Sequence, residues 1–244
     1  MTTKRSILAI RAQSYPNTGA ATPRFESFCH YLRAIGFETT ALTLEPTEES
    51  LLGKRHLNPQ YEFDVIHVPL PSAWRSTMDR WGQRIAARHF FEIESSLHAN
   101  RAVAAVARSL LQRRHFDCML TTYPQMGSLV LVDRLSREFS VPWIADLRDI
   151  PDEFDVERRE WRTRRAVRTL AHACASASHV VVVSDALLQR LQYEYPFEVP
   201  VDVVYNGFER SEVRDIPRPT HDATFRITYA GTAGYGRDPR MLFE

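Results

Sequence analysis

FDCMLTTYPQMGSLVLVDRLSREFSVPWIADL, residues 116–147, decides the fold. Its start, FDCMLTT (116–122), is a short apolar and Thr-rich run of strand length. Pro124 to Phe139 reads as a helix, and VPWIADL (141–147) is a second strand. The connections are only a few residues long. A strand, a helix and a strand joined so closely make a crossover unit of a parallel sheet.

The same alternation extends in both directions. Upstream, SILAI (6–10) is a strand. Residues 24–35 carry Phe25, Phe28, Leu32 and Ile35 at helical spacing, and Gly36 closes that helix as a C-cap. FETTALTL (37–44) and DVIHV (64–68) are strands on either side of a polar, loop-like stretch, 45–62. Residues 74–114, rich in Ala, Arg, Leu and Glu, read as one broken helix or two. Downstream, 156–175 is helical and SHVVVVS (178–184) is a strand expected to be buried on both faces. Asp185 to Tyr193 is a helix with Ser184 or Asp185 as N-cap, and VPVDVVY (199–205) is the last strand of the series. The expected fold class is α/β, a doubly wound, Rossmann-like parallel sheet. Residues 1–208 form this unit. A proline- and charge-rich linker, 209–224, follows, and FRITYAG (225–231) restarts the pattern as the first strand of a second, incomplete unit, 225–244.

Composition narrows the class of function. The 244 residues are 44% apolar and 25% charged with a net charge of +1, an ordinary soluble balance that does not call for nucleic acid. Cys29, Cys118 and Cys174 are far apart and form no C-x-x-C, which suits reduced thiols in a cytoplasmic protein. The apolar start, Ile7 to Ile10, is too short for a leader peptide, and no apolar run approaches the ~18 residues of a membrane span. The nine histidines show no H-x-x-x-H spacing or Cys/His clustering, and D-x-D is absent, so no metal site is expected.

Ligands of open parallel sheets bind beyond the carboxyl ends of the strands. Four such ends attract attention. RAQSYPNTGAATPR (11–24) offers Gly19, with Thr18, Thr22 and Arg24 near a helix N-terminus that favours anions, though the spacing is not the dinucleotide G-x-G-x-x-G. TTYPQMGS (121–128) offers Thr122 and Tyr123 to the cleft, or is a plain helix start. WIADLRDIPDEFD (143–155) places Asp146, Arg148 and Asp149 after a strand, to hold a sugar, to move protons, or to pair with one another and fix the loop. GTAGYG (231–236) is a glycine turn suited to a pyrophosphate, with Gly231, Gly234, Arg237 and Arg240. Two basic stretches with aromatic side chains, 74–91 and 156–168, are either solvated helix faces or surfaces that rest on anionic lipid, 74–91 being the better candidate.

The order of these motifs resembles the family 4 glycosyltransferases of the GT-B fold. The resemblance rests on PNTGAATPR, WIADLRDI, SHVVVVSDAL, VDVVYNGFE and FRITYAGT, and covers nearly the whole chain. It implies the N-terminal, acceptor-side half of a GT-B architecture, entering the donor domain near its end. It implies retaining transfer from a nucleotide-sugar donor to a glycan or lipid-linked acceptor, without cofactor, at the inner face of a bacterial membrane in surface polysaccharide or glycolipid synthesis. By position, Asp146, Arg148 and Asp149 are catalytic-segment residues. Gly19, Gly231, Thr232, Gly234 and Arg237 face the donor, Thr122, Tyr123 and Arg24 the acceptor, and Asn206 and Gly207 form the interdomain turn. The E-x₇-E motif of the family's donor domain is absent, so the chain by itself is expected to be inactive. The alternatives are an acceptor-binding subunit of a split transferase and a GT-B nucleotide-sugar epimerase.

Overall fold

The structure, a computed structural model, describes residues 4–15, 21–46, 61–69, 97–152, 160–195, 198–208, 225 and 227–228. These hold β1 (Ser6–Ser14), α1 (Ala21–Ala34), β2 (Glu38–Leu44), β3 (Asp64–Val68), α2 (Leu97–Arg113), β4 (Cys118–Tyr123), α3 (Met126–Phe139), β5 (Trp143–Leu147), α4 (Trp161–Cys174), β6 (His179–Val182), α5 (Asp185–Glu194) and β7 (Val201–Val203). The strands form one sheet in the order β3-β2-β1-β4-β5-β6-β7, and each neighbouring pair is parallel. Strand order reverses between β1 and β4. The expected doubly wound sheet is therefore present, with its switch point at that pair.

Alternation along the strands divides the side chains between two cores. Leu8, Ile10, Met119, Tyr123, Trp143 and Leu147 point into the larger one, which α2, α3 and α4 cover. Ile7, Ala9, Ala41 and Leu120 point the other way, onto Phe25 and Cys29 of α1. The fully buried Trp143 keeps its polar tip satisfied. Its Nε1 donates to Ser176 Oγ at 3.2 Å, and that hydroxyl donates in turn to Asp133.

Local signals act where the sequence put them. Gly36 has φ +104°, and the amides of Gly36 and Phe37 return to the carbonyls of Arg33 and Leu32, closing α1. Ser184 caps α5 by accepting from Leu187 N at 3.2 Å. One expectation changes. In β6, Val180 and Val182 are buried but Val181 is only half-buried. Among the described residues, the helix cover on the α1 face lies over β1 and its neighbours and does not reach so far along the sheet. Residues 225, 227 and 228, within the expected strand 225–231, take no strand conformation. The 74–91 stretch, the 209–224 linker and the 231–236 turn lie outside the described residues.

The amino edge of β1 is fastened electrostatically. Ser6 N donates to Asp117 Oδ2 at 2.6 Å, and the Ser6 hydroxyl donates to the His115 carbonyl at 2.9 Å. The Ser6 backbone bond, more than the contacts from His115 and the Ser6 hydroxyl, holds the Asp117 carboxyl below its ordinary value. A depressed carboxyl stabilises the fold above its unfolded pKa, about 3.9, and loses that contribution as pH falls through the lower folded value. Asp117→Asn should flatten the stability profile below about pH 4, seen in urea melts across pH.

The three cysteines are free thiols, and burial raises all of them. Glu26 adds to the shift of Cys29 and Asp133 to that of Cys174, while Cys118, half-buried beside Asp117, is pushed up to about 11. Thiolate is scarce at pH 8, so iodoacetamide should label the native chain slowly, Cys118 first, and label all three quickly in urea.

Candidate functional site at the carboxyl edge

Two buried arginines organise the carboxyl edge around the switch point. The first is Arg24, in the opening turns of α1. Its Nε donates to both oxygens of Asp146 at 2.9 and 3.1 Å, and its second terminal nitrogen donates to Asp146 Oδ1 at 2.8 Å. Its other terminal nitrogen reaches the carbonyls of Val204 at 2.7 Å and Tyr205 at 3.3 Å, and Asn206 Oδ1 at 3.3 Å. Thr122 Oγ1 donates to Asp146 Oδ2 at 2.9 Å, since Thr122 and Asp146 are register partners on adjacent strands. Asp146 is 0% and Arg24 8% exposed. A charge pair so far from water holds only because each polar group has its partner. The guanidinium also lies 4.9 Å from the Phe28 ring centroid.

The second is Arg11, 1% exposed near the end of β1. Its Nε and a terminal nitrogen donate to Gln13 Oε1 at 3.1 and 2.6 Å, and the other donates to Thr22 Oγ1 at 3.2 Å. Gln125, between β4 and α3, donates its Nε2 to the same Gln13 oxygen at 2.5 Å. Ser128 Oγ accepts from Ala12 N at 2.9 Å, tying the first turn of α3 to β1. Beside them Tyr15 donates to Glu26 Oε1 at 3.0 Å, and burial first, then Glu26, raises the Tyr15 hydroxyl. Guanidinium groups, carboxylates, side-chain amides and the α3 N-terminus thus meet at one edge, an arrangement of donors and acceptors suited to hydroxyl-bearing ligands.

The sequence-based candidates are redistributed here. Asp146, Thr122, Arg24 and Asn206, drawn from four separate segments, come together. Arg148 does not join them: its Nε donates to the Tyr123 carbonyl at 3.1 Å, and of the alternatives for Asp146, Arg148 and Asp149 the mutual pairing gives way, at Asp146, to an ion pair with Arg24. Asp149 is half-buried in the loop after β5. Tyr123, expected to face the cleft, points into the larger core, because position 123 shares its face with 119 and only Thr122 looks toward α1. Gly207 is exposed with open space around it. Gly19, Gly231, Thr232, Gly234 and Arg237 lie outside the described residues.

Arg11, Gln13 and Gln125 were not foreseen. For Arg11 and Gln13 the signal was two polar residues, two apart, near the end of a largely apolar strand; Gln125 carried none. Asp152 was also missed. It is fully buried, accepts from Tyr195 OH at 2.5 Å, and pairs with Arg190 at 3.3 Å, locking the loop after β5 onto α5.

Residues 19–207 match the model of a family described as a glycosyl transferase 4-like domain. No curated protein matches the chain in sequence. Among solved structures, sucrose-phosphate synthase from Thermosynechococcus elongatus superposes with a TM-score of 0.59 at 9% identity, covering 84% of this chain and 49% of that one. Anabaena Alr3699/HepE in complex with UDP-glucose gives 0.52 at 15% identity, with 84% and 44% covered. Arabidopsis thaliana UGT89C1 complexed with UDP-L-rhamnose gives 0.53 at 15% identity, with 89% and 56% covered. At these identities the likeness is one of fold, and this chain spans about half the length of those structures.

The clamp makes a direct prediction. Asp146→Ala and Arg24→Ala should each cost about 3–5 kcal/mol, because each leaves a buried charge unpaired. The double variant should cost clearly less than the sum in urea melts, whereas additive losses would mean that the pair is not coupled.

Proposed function

This chain belongs to the glycosyl transferase 4-like family, and on that premise we propose that it forms the acceptor-side half of a glycosyltransferase that uses a nucleotide-sugar donor. The observation that supports this most is the buried arginine- and amide-rich carboxyl edge at the β1/β4 switch point, where open parallel sheets take their ligands. In this reading a second Rossmann-like unit holds most of the nucleotide and completes the cleft. The half-length coverage of the solved structures supports it.

The chemistry of transfer is electrostatic. A sugar leaves a nucleoside diphosphate, and amides and cations stabilise the charge that develops on the leaving oxygens. Arg24 and Asp146 act as positioning residues, since their polar atoms are committed to each other, to Thr122 and to the 204–206 segment. They hold the exit from β7 against the face of the sheet that carries the acceptor. Retention of anomeric configuration, a glycan or lipid-linked acceptor of the bacterial surface, and contact with anionic lipid through 74–91 complete the proposal. These finer points rest on the motif resemblance and on the basic, aromatic composition of that stretch. No helix among the described residues is long and apolar enough to cross a membrane.

Release of nucleoside diphosphate from a panel of UDP-, GDP- and ADP-sugars tests the reading. A chain carrying both cleft halves should release it in an acceptor-dependent way, and residues 1–244 alone should not turn over. Absence of release by the two-half chain with every donor would reject a transferase.

A further inference from the structure

We infer that Gln125 recognises a hydroxyl group of a bound sugar through its side-chain oxygen, with Gln13 and Arg11 fixing the orientation of that oxygen. The class of ligand rests on the proposed function. The orientation follows from this chain's own hydrogen bonds.

An arginine can only donate, so the atom of Gln13 that faces Arg11 at 2.6 and 3.1 Å is the amide oxygen. The atom of Gln125 that lies 2.5 Å from this oxygen must be its amide nitrogen. Gln125 Oε1 is therefore turned away from Gln13. It is shielded from solvent and finds no donor among the described residues. Gln125 is 2% exposed. Buried acceptors normally have a partner, and one left alone weakens the fold.

A structural task does not explain it. Gln125 is the N-cap of α3, yet its side chain makes no capping bond, and the amide contact to Gln13 uses only the nitrogen. Its place is the switch point, at the N-terminus of a 14-residue helix. A ligand hydroxyl is the chemistry that supplies a donor to such an acceptor.

The test uses residues 1–244 and saturation-transfer NMR with a panel of hexoses and their monodeoxy analogues. Thermal midpoints are measured in parallel. Gln125→Met keeps the volume and removes the acceptor together with the amide donor to Gln13. The expected result is at least tenfold weaker binding of the preferred hexose by Q125M, with the variant still unfolding cooperatively. One deoxy analogue should bind the wild-type chain at least tenfold more weakly than the parent hexose, a comparison that does not depend on the variant folding. Equal hexose binding by wild type and Q125M, a lowered midpoint with unchanged binding, or no hexose bound by wild type would each overturn the inference. Nucleoside diphosphate release by the two-half chain separates the two ideas. Release that is insensitive to Q125M rejects the role of Gln125 and keeps the transferase. Gln125-dependent hexose binding without release from any donor rejects the transferase and keeps the role.

Discussion

The buried ion pair of Arg24 and Asp146 is the constraint around which the carboxyl edge is arranged. Removing both charges from water is costly, and it is tolerated only because the carboxylate takes three contacts from one guanidinium and a fourth from Thr122. Those demands fix several elements at once. The first turns of α1 must sit over β4 and β5, and the segment after β7 must bring its carbonyls within reach of the remaining nitrogen. A carboxylate within the sheet therefore decides where the segment after β7 lies.

Arg11 solves a similar problem differently. Among its contacts are a side-chain amide and a hydroxyl, and it lies over Phe25 at 5.7 Å from the ring centroid. The two arginines thus fasten different pieces of one edge: Arg24 ties α1 to β5 and to the 204–206 segment, whereas Arg11 ties the end of β1 to α1 through Thr22. Their division follows from alternation. Arg11, Thr122 and Asp146 share the face that α1 covers, while Ala12, Tyr123 and Leu147 share the other.

Much of the fold could be read from the chain because its signals are local. Apolar runs such as DVIHV marked strands, Gly36 and Ser184 marked helix ends, and short connections marked parallel crossovers. The resemblance placed the family correctly. The site was less legible because its decisive contacts are remote in sequence. Arg24 and Asp146 are 122 positions apart, and no pattern near Asp146 distinguishes Arg24 from the adjacent Arg148 as its partner. Nearness in the chain suggested Arg148, and strand alternation chose Arg24. Tyr123 was misplaced for a related reason: its place at the carboxyl end of a strand suggested the cleft, but the parity of its position sends the ring into the core. The buried amides were missed because neither glutamine carries a motif, and only Arg11 makes their orientation informative.

The exit from β7 has a mechanical consequence. β7 is a three-residue edge strand, and a pull applied to such a strand would ordinarily peel it from the sheet one hydrogen bond at a time. Here the residue that follows it is held on both sides, Val204 N donating to Val182 O at 2.8 Å and Val204 O accepting from Arg24 at 2.7 Å. Tension arriving along the 204–208 segment is passed through the guanidinium to Asp146 in the sheet interior, so it loads the fold in shear instead of unzipping its margin.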